Sequence, residues 1–153
     1  MMHLDATQHR DLRRACYHEL AHLHVARHFG VSGHVTIDRN PDGGLYETHF
    51  VGQFHLYGLL RTHARTMVGL AGSIAEFVLD HRLITPEELF QAFDDDPDLL
   101  SDSDARFVGQ ATPQKVAAAL WLVRKLWADI VADAELQVTA EARLAGLIEA
   151  EVA

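Results

Sequence analysis

His18-Glu19-Leu20-Ala21-His22 sits inside an apolar, helix-favouring stretch that runs from Ala15 to Phe29. Leu12, Ala15, Leu20, Leu23, Ala26 and Phe29 recur at helical spacing, which predicts an amphipathic helix over residues 7–29. Asp5 and Thr7 are candidate N-caps, and Gly30 is a natural C-terminal stop. On such a helix positions i and i+4 share a face, so both imidazoles can reach one metal ion. Glu19 lies one residue round from His18. Zinc held by two His and a third protein ligand keeps a position open for water, and a neighbouring carboxylate can take that water's proton. This spacing suits metal-dependent peptide hydrolysis, with His18 and His22 as zinc ligands and Glu19 as the base.

Working outward, Val35-Thr36-Ile37 is a short strand candidate and Asn40-Pro41-Asp42-Gly43-Gly44 a strong turn signal. Tyr46 to Val51 is predicted to return as the second strand of a small hairpin. Residues 54–80 read as a long helix with Leu59, Leu60, Met67, Leu70, Ile74, Phe77 and Val78 inward. Gly69 and Gly72 within it each cost about 1 kcal/mol relative to Ala, which implies a closely packed neighbour. Thr85-Pro86-Glu87-Glu88 starts a short helix to about Phe93, and the acidic run Asp94 to Asp98 ends it. Ser101 to Gln110 is predicted to be helical. Thr112-Pro113 opens a long helix to about Ala134, and Thr139 to Val152 a last one. No repeat or low-complexity linker interrupts the chain, so residues 1–153 read as one mainly α domain with one small β-hairpin.

The bulk properties narrow the function. The 153 residues are enough for one domain with a real core. A formal net charge of −9 argues against sequence-independent nucleic-acid binding and against an anionic membrane surface. Cys16 is the single cysteine, so no intrachain disulfide can form, and a cytoplasmic setting is expected. Residues 1–30 lack a basic start followed by an apolar run, and no segment approaches the roughly 18 apolar residues of a spanning helix. No phosphate-cradling G-x-x-x-x-G-K-[ST] motif is present, so coupling to ATP is not expected.

A catalytic zinc needs a third protein ligand. His18, His22 and His28 match the metzincin spacing, but Val25 stands where that pattern has its helix-breaking glycine. On an unbroken helix His28 is turned roughly 240° from His22 and faces away. A downstream carboxylate, Glu76 or Glu47, is an alternative. Glu76 can also act one step back, accepting the free N–H of a zinc-bound His.

Ala15-Cys16-Tyr17-His18-Glu19-Leu20-Ala21-His22-Leu23-His24-Val25-Ala26 resembles the motif helix of the FtsH-type zinc proteases, roughly A-x-H-E-A-G-H-A-x-V-A. Val35-Thr36-Ile37, Gly43-Gly44 and the returning strand are similar to the family's hairpin. Met67 to Glu76 is similar to its next helix, L-G-G-R-A-A-E-E. Ser101-Asp102-Ser103-Asp104-Ala105-Arg106 falls where the family places its zinc-binding aspartate. The resemblance spans roughly residues 10–110. It implies a zincin-like helical domain and a zinc ion held by His18, His22 and Asp104, with Asp102 as the fallback ligand. The chain departs from the family at Ala21, where the family has glycine.

The family's ATPase module and membrane helices are not read in this sequence. The expected substrates are therefore unstructured polypeptides, or chains supplied by a separate delivery partner, and a homo-oligomer stays open. The hairpin segment Tyr46 to Phe50 is the expected edge for strand addition by an extended peptide. His24, His34, His49 and His63 are the candidate oxyanion donors. The alternative function is a non-catalytic metal-binding or interaction module built on the same fold.

Overall fold

Asp5 opens the first helix, α1 (Ala6–His28), through a reciprocal cap. The Gln8 backbone N–H donates to Asp5 Oδ1 at 2.8 Å, and the Asp5 N–H donates to Gln8 Oε1 at 2.9 Å. The helix ends at Phe29, and Gly30 follows at φ +83°, a conformation that favours glycine. The computed structural model describes residues 4–40, 43 and 48–152.

Strand β1 (Ser32–Arg39) pairs antiparallel with β2 (Phe50–Tyr57), in a register from Ser32↔Tyr57 to Arg39↔Phe50. The second strand therefore lies later than the sequence implied. Residues 54–57, read as the start of a helix, are strand, and α2 begins only at Thr62 (Thr62–Asp80). Gly58, at φ +140°, separates the two elements. Leu59, expected to point inward, is 95% exposed. The apolar run misled because alternation in a half-buried strand and the first turn of a buried helix look alike over so few residues. Tyr46 and Glu47 lie outside the described residues.

Helix α2 buries Met67, Val68, Leu70, Ala71, Ile74 and Val78 against α1 and the later helices. Thr85 caps α3 (Pro86–Asp95) with Glu88 in a second capping box. A 3-10 turn (Pro97–Leu99) leads to α4 (Asp102–Val108), whose N-cap is Ser101. Helices α5 (Pro113–Lys125) and α6 (Trp127–Val152) meet at Leu126, where the sequence had suggested one helix to about Ala134 and a break before Thr139. The break falls at Leu126 because the chain changes partner there: α5 packs on α2 and α3, whereas α6 packs on α1.

Polar residues at 135–139 do not interrupt α6. Glu135 accepts from Arg13 Nε at 3.0 Å and Nη2 at 3.1 Å, and from the Tyr17 hydroxyl at 2.7 Å. Ala134 and Val138 on the same stretch are buried. The result is mainly α with a single two-stranded hairpin among the described residues. No described helix is long and apolar enough to cross a membrane.

Candidate metal centre

Three side chains from two helices converge on one point. Helix α1 supplies His18 and His22 one turn apart, and α4 supplies Asp104 from its first turn. One donor atom from each of these residues lies within 4.8 Å of the others, an arrangement able to hold a metal ion. His18 Nε2 is 3.1 Å from Asp104 Oδ2, and His22 Nε2 is 3.3 Å from Asp104 Oδ1. A tetrahedral ion with bonds of about 2.0–2.1 Å sets its ligands about 3.3 Å apart, so the spacing fits such an ion.

The far nitrogens of both rings are also fixed. His18 Nδ1 lies 2.8 Å from Glu76 Oε2, and His22 Nδ1 lies 2.6 Å from the Val68 carbonyl oxygen. Both partners are acceptors, so each Nδ1 is the donor and each Nε2 is turned to Asp104. This is the orienting layer behind imidazole ligands in metal sites. Glu76 is therefore placed behind His18 rather than in the cluster.

Two glycines make room for the cluster. A Cβ at Gly72 would meet His18 Nε2 at 2.5 Å and His22 Nε2 at 2.6 Å, closer than real contacts allow. A Cβ at Gly69 would meet Phe107 Cβ at 2.7 Å and Val108 Cγ2 at 2.8 Å, so that glycine lets α4 dock on α2. The closely packed neighbours implied by these helical glycines are thus the two imidazoles and α4. Gly72→Ala is expected to leave the fold intact, because the colliding atoms are ring ends, and to lower metal affinity by roughly ten- to a hundredfold. Metal titration and circular dichroism on the same sample check this. Wild-type affinity in the variant would show that the rings do not need that space.

The electrostatics match the geometry. Burial works against a charged His18. The hydrogen bonds to Asp104 and Glu76 and the pull of Glu19 prevail, raising its pKa from 6.5 to about 10. Burial likewise opposes the Asp104 charge, but hydrogen bonds from His18 and His22 hold the carboxyl far below the usual carboxylate range. Burial pushes the Glu19 carboxyl up against the pull of His18 and His22.

The metal-free site is thus an imidazolium–carboxylate pair near neutral pH, and a ligand imidazole must lose that proton. Metal binding at pH 7 is expected to release about one proton from His18, with affinity rising toward alkaline pH. Calorimetry in buffers of different ionisation enthalpy measures the release, and zero release would refute it. Because His18 is raised in the folded state, its contribution to the metal-free fold is complete below 6.5. It is lost as pH rises toward about 10.

Glu19 lies beside the cluster, 3.9 Å from His18 Nε2 and only 8% exposed. A cavity of about 420 Å³ opens there, walled by Glu19, Asp104, Phe107 and β2 residues 51–55. A Cβ at Gly52 would meet Glu19 Cγ at 2.5 Å, so this glycine lets the strand pass directly over the carboxylate side chain. Phe54 stacks on His22, with ring centroids 5.9 Å apart.

The remaining candidates from the sequence fall elsewhere. Asp102 is exposed on the first turn of α4. His28 packs edge-on against Phe29 at the far end of α1, and Val25 is buried in an unbroken helix. His24 pairs with Asp133 at 2.6 Å and His49 with Asp11 at 2.6 Å, while His34 stacks on His55 and His63 meets Phe29. Of the segment expected as the docking edge, Tyr46 and Glu47 lie outside the described residues, Thr48 and Phe50 line a cavity shared with His18 and Glu19, and residues 51–55 of β2 wall the cavity at the cluster.

The sequence reading missed Gly52, Phe54, His55 and the Val68 carbonyl. The first three carry a signal in the alternation from Phe50 to Tyr57, but a backbone carbonyl carries none. No protein-family model matches the chain, and no curated protein matches it significantly.

Proposed function

We propose that this chain is a zinc-dependent metallopeptidase acting on unstructured polypeptides. The observation that carries the reading is Glu19: a nearly buried carboxylate beside the His18–His22–Asp104 cluster, at the wall of an open cavity. Two imidazoles and one carboxylate suit zinc better than the oxygen-preferring magnesium or calcium. The resemblance of the α1 motif to FtsH-type proteases supports the same conclusion.

Bound there, zinc would supply an acidified water and a Lewis acid for a carbonyl. Glu19 takes the proton of the attacking water and delivers it to the departing amine, which balances the hydrolysis. Glu76 and the Val68 carbonyl keep the two rings turned toward the centre. β2 pairs only with β1 among the described residues, and residues 51–55 border the cavity. An extended substrate added along that strand has its main chain beside Glu19.

The test is hydrolysis of an unstructured polypeptide, such as reduced casein, by zinc-loaded protein. Cleavage should be abolished by a chelator and restored by added zinc. A fully loaded chain that leaves casein and a random peptide library intact would reduce the centre to a non-catalytic metal site.

A further inference from the structure

Beyond Phe107, on the far side from the metal cluster, a second cavity of about 600 Å³ opens. Phe107 lines both cavities. The second is ringed by Arg65 of α2, Arg106 of α4 and Lys115 of α5, and no Asp or Glu lines it. The Arg65 guanidinium lies 5.1 Å above the Phe107 ring, and Lys115 Nζ donates to the Gln110 carbonyl at 2.8 Å. Among the described residues none of these three cations is paired with a carboxylate.

Other cations among the described residues also lack a carboxylate partner, so what sets this site apart is their convergence: three of them, from three helices, line one cavity that no acidic residue lines, in a chain with 22 acidic and 13 basic residues. The start of α2 adds to the same field. Its N-cap, Arg61, makes no side-chain cap, its first turn carries no acid, and Thr62 and His63 of that turn line the cavity. The free N–H groups and the positive end of the helix dipole favour an anion.

We infer that this basic cavity binds an acidic side chain, Glu or Asp, of the polypeptide whose main chain lies along β2. The inference rests on the peptidase reading for the identity of the ligand. Its support is separate: uncompensated positive charge, a cavity, and a wall shared with the metal cleft. The guanidinium groups can grip a carboxylate through paired N–H donors, and Phe107 offers an apolar face to the methylene stem. The cavity would select substrates by charge, opposite to the repulsion that the chain's net charge exerts on acidic peptides at long range.

The experiment uses zinc-loaded Glu19→Gln protein, so that binding is read without turnover. Fluorescent peptides of one neutral sequence carry a single Glu, Gln or Lys scanned through successive positions. At one or two adjacent positions Glu should bind on the order of tenfold tighter than Gln, and Lys more weakly than either. The preference should shrink at high salt. In an Arg65→Glu/Arg106→Glu background it should reverse toward Lys, and Lys115→Glu alone should weaken it. Melting temperature and zinc content confirm that each variant is folded and loaded.

Equal affinity for the Glu and Gln peptides at every position overturns the cavity assignment, whether or not the wild type cleaves casein. A Glu preference abolished by the charge reversals, with no cleavage by the wild type, upholds the cavity and overturns the peptidase reading instead.

Discussion

Glu19→Gln is expected to leave zinc content at the wild-type level and to lower peptide turnover by roughly 10²- to 10⁴-fold, the usual share of a positioned acid–base group. The amide keeps the size and shape of the carboxylate, so the packing under Gly52 survives. It cannot accept a proton from water. Glu19 is not in the cluster: the donor atoms that meet belong to His18, His22 and Asp104, and Glu19 Oε1 stands 3.9 Å from His18 Nε2. Zinc affinity and turnover should therefore separate. Burial raises the Glu19 pKa, which makes its carboxylate a stronger base toward the attacking water. Turnover equal to wild type in a fully loaded variant would remove Glu19 from the chemistry.

Asp104→Ala should abolish stoichiometric zinc binding, whereas Asp102→Ala should leave it unchanged. Structural zinc sites are worth about 10–16 kcal/mol, and three protein ligands share that energy, so loss of one costs roughly a thousandfold in affinity or more. Asp104 is 8% exposed and bonded to both imidazoles, while Asp102 is exposed and points to neither. The Ser101 cap that accepts the Asp104 N–H keeps α4 in place in the Ala variant. Thermal stability provides a second readout. Zinc at about a thousand times its dissociation constant stabilises the wild type by about 4 kcal/mol, and Asp104→Ala should lose that gain. Zinc retained in Asp104→Ala but lost in Asp102→Ala would interchange the two residues.

Much of the site is written locally. His18, Glu19 and His22 are ordered by the 3.6-residue repeat, and capping by Asp5 and the stop at Gly30 are encoded by adjacent residues. The glycines of α2 were legible as a packing signal but not in their use: Gly69 admits α4, and Gly72 admits the imidazoles. The hairpin was legible as a hairpin, yet its second strand was placed too early. Phe54 to Tyr57 is apolar enough to serve a strand or a helix, and only pairing with β1 settles it. The helix boundary at Leu126 was missed because a change of packing partner leaves no mark in local propensity.

By itself, the sequence determined the mainly α class, the hairpin after the motif helix and a pair of imidazoles on one face. All of these arise from hydrogen bonds and side-chain spacing within a few residues. Only the tertiary structure decided which carboxylate joins them. Asp102 and Asp104 differ by roughly 200° around one short helix, and which of them faces the imidazoles depends on how α4 lies against α2. That orientation is set by the close approach of α4 to Gly69, a contact between segments far apart in the chain. The same docking puts Phe107 between the metal cleft and the basic cavity, a juxtaposition that no local pattern of residues announces.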